Sequence, residues 1–196
     1  GRYGTFTFLD PLENLLRWSE DFSQSAWTKS EPIGIGGSLP DPLGGNAAQS
    51  LTNTSAATVY VTQWLDLPPA GLRLTGSLWL KETGGNEIQL TLTDGAGEGY
   101  GTAVTPGAAW QRFAVAAAFS IGNASQRVGF RLALPALASA QVFGAQLMSM
   151  AGPGAYVRTT HASGLHPRCR LADDTFAQCI SGYGHSDIRL SIIEFV

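Results

Sequence analysis

Apolar and polar residues alternate with period two through most of the middle of this chain. Val59, Val61, Leu65 and Leu67 alternate with Tyr60, Thr62, Trp64 and Asp66. Leu72, Leu74, Leu78 and Leu80 alternate with Arg73, Thr75, Ser77, Trp79 and Lys81. Ile88, Leu90 and Leu92 alternate with Gln89, Thr91 and Thr93, and Val128, Phe130, Leu132 and Leu134 with Arg127 and Arg131. Phe143, Ala145 and Leu147 alternate with Gln141 and Gln146, and Phe113, Val115 and Phe119 mark a further strand. Successive side chains of a strand point to opposite faces, so this pattern predicts half-buried strands. Weaker strands are expected near 46–51 and 100–104.

The separators carry turn chemistry: Pro68-Pro69-Ala70-Gly71, Thr83-Gly84-Gly85-Asn86, Asp94-Gly95-Ala96-Gly97 and Pro106-Gly107. About eight strands at this spacing predict an all-β, two-sheet antiparallel β-sandwich of jelly-roll type. No long helical period is present. Val59, Val61, Leu74, Leu78, Leu90, Phe113, Phe130 and Leu147 are the expected shared core.

Both ends have strand character outside that pattern. Gly1 to Pro11 contains one short strand, and residues 168–196 contain two or three. Two organisations fit: a sandwich inserted between halves of a small β-element, or extra edge strands on one sandwich. The insertion reading divides the chain into 14–161 and flanks 1–13 and 162–196, with Thr5–Leu9 beside a strand from 168–195.

Composition narrows the function classes. Charged residues are 14% of the chain and glycines number 24, as in a turn-rich β protein rather than an average soluble domain. The net charge of −3 comes with no basic run, which argues against a nucleic-acid partner. The apolar runs are too short for a membrane-spanning helix. The chain opens on Gly1 and shows no signal peptide, which reads as an excised fragment whose compartment is not legible. Cys169 and Cys179 flank Asp173-Asp174-Thr175, where a hairpin would set them opposite each other; a disulfide and two free thiols both fit. No CxxC pair suggests zinc.

Four segments, in order, resemble a known family. They are Asn14-Leu-Leu-Arg-Trp-Ser-Glu-Asp-Phe-Ser-Gln-Ser-Ala-Trp27, Leu74-Thr-Gly-Ser-Leu-Trp-Leu-Lys81, Trp110-Gln-Arg-Phe113, and Phe143-Gly-Ala-Gln-Leu147 with Gly154-Ala-Tyr-Val-Arg-Thr-Thr160. Together they resemble carbohydrate-binding-module-like jelly rolls of phage tail proteins and bacterial extracellular proteins. The flanks, Gly4-Thr-Phe-Thr-Phe-Leu-Asp-Pro11 and the terminal Ile-Ile-Glu-Phe, resemble a phage minor-tail protein region. The resemblance implies a non-catalytic module with carbohydrate as partner, in an extracellular or virion-associated setting. A structural part of a phage tail, with other tail subunits as partners, is the alternative it implies. Related sugar-binding jelly rolls often hold a structural calcium, for which Glu20 and Asp21 would serve. The chain departs from that pattern at Gly144-Ala-Gln146, where an acidic pair is expected, so no cofactor is assigned.

Enzyme signatures are weak. Gly95-Ala-Gly-Glu-Gly-Tyr-Gly101 links two predicted strands, whereas a phosphate loop needs a helix after it. No Gly-x-Ser-x-Gly elbow is present. His161, His166 and His185, with Asp173 and Asp174, fit no metal-ligand spacing. Glu20, Asp21, Glu87, Asp94 and Glu98 supply carboxylates for a glycan-acting hydrolase, but spacing pairs none of them. The aromatic pattern says more. Tyr60, Trp64 and Trp79 fall on the polar phase of their strands, beside Arg73, Lys81, Gln89 and Arg131. Aromatic rings stack on the flat C–H faces of sugars, and the polar groups bond their hydroxyls. These seven residues are the expected ligand-binding set; burial under loops is the competing reading. Trp18, Trp27 and Trp110 coincide with family motif positions and are assigned structural roles.

Overall fold

The computed structural model describes residues 6–82, 84–172, 177–180, 186–189 and 192–194. Its strands are β1 (Phe6–Leu9), β2 (Trp27–Lys29), β3 (Gly34–Leu39), β4 (Ala48–Thr52), β5 (Val59–Leu65), β6 (Arg73–Lys81), β7 (Ile88–Thr93), β8 (Gly99–Val104), β9 (Gln111–Ala118), β10 (Val128–Leu134), β11 (Ser139–Met148), β12 (Leu165–Leu171), β13 (Ala177–Ile180), β14 (Ser186–Arg189) and β15 (Ile192–Glu194). The described residues contain no helix.

The chain divides into two compact units. The larger runs from Asp10 to Gly164, and the smaller is built from the chain up to Leu9 and from Leu165 onward. The larger unit is an all-β jelly-roll sandwich of two five-stranded antiparallel sheets. The first has the order β2-β5-β10-β7-β8, and the second β3-β4-β11-β6-β9. In the smaller unit, β12 lies between β1 and β15, with Phe6 opposite Cys169 and Leu9 opposite Leu165. A separate hairpin joins β13 to β14. Cys169 is a buried free thiol, whereas the side chain of Cys179 lies outside the described residues, as do Asp173, Asp174 and His185.

The alternating apolar residues meet between the two sheets. Val59, Val61, Leu74, Leu78, Leu90, Phe130 and Leu147 are all buried to within 1%. The sheets approach closely enough that a Cβ on Gly76 would stand 2.5 Å from the Phe130 ring. Phe113 is an exception to the expected core. It lies opposite Leu78 but is only half-buried, because β9 is an edge strand with a neighbour on one side alone.

A second departure lies in β11. Phe143 is opposite Trp79, but Gln146 is opposite Ser77, so an extra residue interrupts the ladder. Gly144 sits there at φ 63°. A bulge of this kind reverses the phase of the strand. Phe143 therefore turns outward, while Leu147 and Val142 stay in the core.

The opening motif is a clasp. Asn14 is fully buried. Its amide nitrogen donates to the carbonyls of Ala145 and Val157, at 2.9 and 3.1 Å. Its amide oxygen accepts from the N–H groups of Leu16 and Leu147, both at 3.0 Å. Gln63 does the same for Arg17, accepting from its N–H at 2.7 Å and donating to its carbonyl at 2.8 Å. Such bonds satisfy backbone groups that no ladder reaches.

Candidate functional site

The outer face of the first sheet carries four of the seven expected ligand-binding residues. On β5 the outward phase holds Tyr60, Thr62 and Trp64. Across the ladder to β10 these stand opposite Ala133, Arg131 and Gly129. β10 in turn sets those three opposite Gln89, Thr91 and Thr93 of β7. The last neighbours, on β8, are Ala103, Gly101 and Gly99. Three rows thus cross the sheet, each with large groups on β5 or β10 and small ones on β8. The result is a low polar shelf beside an aromatic rim.

Two glycines set the attitude of Trp64. A Cβ on Gly129 would lie 2.8 Å from Cε3 of the indole, and one on Gly95 would lie 2.7 Å from Cη2. Both are closer than side-chain atoms pack, so the ring takes this place only because these positions are bare. Gly95 also has φ 71°, which independently favours glycine. The Arg127 guanidinium lies 4.3 Å from the Trp64 ring, and that of Arg131 lies 5.8 Å from Trp64 and 5.0 Å from Tyr60. Arg131 Nε donates to Thr62 Oγ1 at 3.2 Å. Tyr60 is 40% exposed, and Trp64 is half-buried. Gln89 extends over Gly101, where a Cβ would stand 2.9 Å from its amide nitrogen.

Trp79, Arg73 and Lys81 do not join this set. They lie on β6, in the second sheet, whose outer face is a different surface. Period two separates inward from outward, but a sandwich has two outward faces, and β5 and β6 belong to opposite sheets. Trp79 is half-buried, as Trp64 is, and its ring sits over Gly144, but two further rings and a guanidinium pack on it. Its ring lies 5.7 Å from Phe143, 5.3 Å from Tyr156 and 4.6 Å from the Arg112 guanidinium. Arg112 fixes that cover, donating from Nη1 to the Gly154 carbonyl at 2.8 Å. Its Nη2 donates to the Pro153 carbonyl at 2.8 Å and to Ser77 Oγ at 3.0 Å. Burial lowers the Arg112 pKa, with the Tyr156 phenol acting weakly against it. Trp79 thus belongs to a satellite core. Arg73 borders a separate hollow of about 300 Å³ with Tyr100, Ala116 and Met150.

Trp27 and Trp110 make internal contacts. Trp27 is buried, 4.7 Å from Phe22, and donates from its indole to the Trp18 carbonyl at 3.1 Å. The Trp110 indole donates to the Pro40 carbonyl at 3.2 Å. Ser19, Glu20 and Tyr156 form one cluster: the Tyr156 hydroxyl lies 2.9 Å from Ser19 Oγ and donates to Glu20 Oε1 at 3.0 Å. Burial pushes this phenol far above its ordinary pKa, and the Glu20 carboxylate adds to the effect. Glu20 also pairs with Arg158 at 2.8 Å. Asp21 accepts from Ser23, Gln24 and Gln49. Both acids are thus occupied by protein donors.

Asp94 and Glu98 brace a loop, whereas Glu87 is exposed. Asp94 Oδ1 accepts from the N–H groups of Ala96, Gly97 and Glu98, at 2.8, 3.0 and 3.0 Å. Asn123 Nδ2 bridges Asp94 and Glu98 at 2.9 and 2.7 Å. Desolvation works to raise the Asp94 pKa, but the Ala96, Asn123, Gly97 and Glu98 donors outweigh it and hold it below its ordinary value. Glu98 is lowered too, first by Asn123 and then by the Ser120 amide. A general acid for glycoside hydrolysis needs a carboxyl held protonated, and this pair is shifted the opposite way. Among the described residues, no three His, Cys, Asp or Glu side chains gather as a metal site. His161 is exposed beside Thr160, and His166 pairs with Glu194 at 2.8 Å.

Among solved structures with this fold, the enzymatically active domain of tailspike protein 4 from bacteriophage CBA120 gives a TM-score of 0.56 at 14% identity. It matches 72% of this chain and 22% of its own, so this chain spans less than a quarter of it. A cyclase from Fischerella sp. TAU gives 0.54 at 12% identity, over 68% of this chain and 95% of that one. The module TmCBM61, solved with β-1,4-galactotriose, gives 0.53 at 18% identity, over 70% of this chain and 99% of that one. No family model and no curated protein matches the sequence. Such identities establish the fold alone: the larger unit is a jelly roll like that of carbohydrate-binding modules. Because the fold hosts binding modules and enzymes alike, function must be argued from the site.

Proposed function

We propose that the larger unit is a non-catalytic carbohydrate-binding module, and that its site is the outer face of the first sheet. The observation that carries this reading is Trp64, a half-buried indole seated over Gly129 and Gly95 and stacked by Arg127, next to an exposed Tyr60 and a polar shelf. The exposed Tyr60 ring and the part of the indole that Arg127 leaves open meet the sugar. Thr91, Gln89 and Arg131 supply hydroxyl, amide and guanidinium groups on the same surface. Tyr60, Trp64, Gln89, Thr91 and Arg131 stand on strands, so little ordering of these side chains' backbone is required on binding. The likeness to TmCBM61 and its galactotriose complex supports the reading at the level of fold. Weak binding, in the micromolar to millimolar range, is expected of so open a face.

The test is a glycan panel titrated with the intact protein and with Trp64→Ala, Tyr60→Ala and Trp79→Ala. Loss of binding in the first two, with binding kept by folded Trp79→Ala, supports the reading. Absence of binding to every glycan overturns it.

A second reading concerns the smaller unit. Phe6, Ile192 and Ile193, all on its three-stranded sheet, are 37%, 38% and 42% exposed. Exposed apolar side chains on edge strands favour contact with another subunit, as a part of a phage tail would require. Sedimentation of the intact chain tests this: a monomer at every concentration, unable to join any tail protein, removes the reading.

A further inference from the structure

The glycan face pairs aromatic rings with cations that have no carboxylate partner. Arg127 and Arg131 stand 4.3 and 5.8 Å from the same indole. Neither arginine forms an ion pair with a carboxylate among the described residues, so neither is neutralised. Asp66, just past β5, and Glu87, just before β7, are exposed and form no ion pair with them. The hydrogen bond of the Arg131 side chain uses Nε alone. Stacking holds each guanidinium in place, and such a group recognises planar or tetrahedral oxyanions through two parallel N–H donors.

Resting on the glycan reading, we infer that the ligand is an acidic polysaccharide, whose carboxylate or sulfate group docks on Arg131 and Arg127 beside Trp64 while a sugar ring packs against the exposed Tyr60. The whole chain carries a charge of −3. General attraction to a polyanion is therefore absent, and selectivity for anionic glycans has to come from this local pair.

The intact protein is titrated against a panel of neutral and acidic glycans. The panel includes pairs that differ in charge alone: polygalacturonate with its methyl ester, and dextran sulfate with dextran. The best ligands are expected to be acidic, with the charged member of a pair binding about tenfold tighter. That advantage should shrink in high salt and fall in Arg131→Gln and Arg127→Gln variants of unchanged melting temperature. Response to one pair or the other separates carboxylate from sulfate. Binding of neutral glycans with no gain from charge overturns the inference and leaves the glycan face standing. Anionic binding that survives in both arginine variants also overturns it. Failure of every glycan to bind overturns the glycan reading itself.

Discussion

Trp64 takes its place because two neighbouring positions lack side chains, and that makes its environment testable one atom at a time. Gly129→Ala places a methyl 2.8 Å from the ring, which must lift it. Glycan affinity should fall about tenfold, as for Trp64→Ala, with a small change in melting temperature. Calorimetric titration beside thermal denaturation checks both numbers. Trp79→Ala should do the reverse. It removes a ring packed among Phe143, Tyr156 and Arg112. Unfolding free energy should drop by roughly 2–4 kcal/mol in a denaturant titration, with glycan affinity unchanged. Both tryptophans occupy polar-phase positions, so the sequence showed that neither faces the core. It did not show which of two outer surfaces each one meets. Arg127 read as a strand residue in the alternation, but it lies just before β10, and its stacking on Trp64 depends on which strand lies beside it, which alternation does not fix.

At the scale of elements, the long alternating strands were legible and the short or glycine-rich ones were not. β2 has three residues, too few to show a period, and β3 reads Gly-Ile-Gly-Gly-Ser-Leu. Backbone pairing with β5 and β4 makes them strands. The bulge in β11 was hidden for a related reason: phase reversal is decided by the partner strand, and Phe143 looked like a core residue. The loop braces have their own test: Asp94 holds the β7–β8 turn, and Glu82 accepts from the N–H groups of Gly84 and Gly85 after β6. Burial works to raise the pKa values of Asp94 and Glu82. Backbone and Asn donors outweigh it, and both sit below their ordinary 3.8 and 4.5. Depressed folded-state values contribute stability that is complete above the unfolded pKa and is lost as pH falls through the folded one. The amide protons of Ala96, Gly97, Gly84 and Gly85 should hold their NMR shifts from neutral pH down to about 4 and move only below it. Asp94→Ala, which leaves three loop N–H groups without their acceptor, should cost about 1–3 kcal/mol by denaturant titration.

For the whole molecule, the alternation and turn chemistry made the all-β sandwich legible, because both are local consequences of burying one face of each strand. Choosing a binding face is a question about which strands become neighbours, and that is set by the order β2-β5-β10-β7-β8. The central claim is that this face, with Trp64 at its rim, is where a glycan docks. The chain carries five tryptophans, so five indole N–H resonances report on five separate places. The most direct measurement is an NMR titration of these signals with a bound glycan identified from the panel. The Trp64 signal is expected to shift in proportion to saturation, while those of Trp18, Trp27, Trp79 and Trp110 stay in place. A shift confined to Trp79, or saturation with no movement of Trp64, would contradict the account.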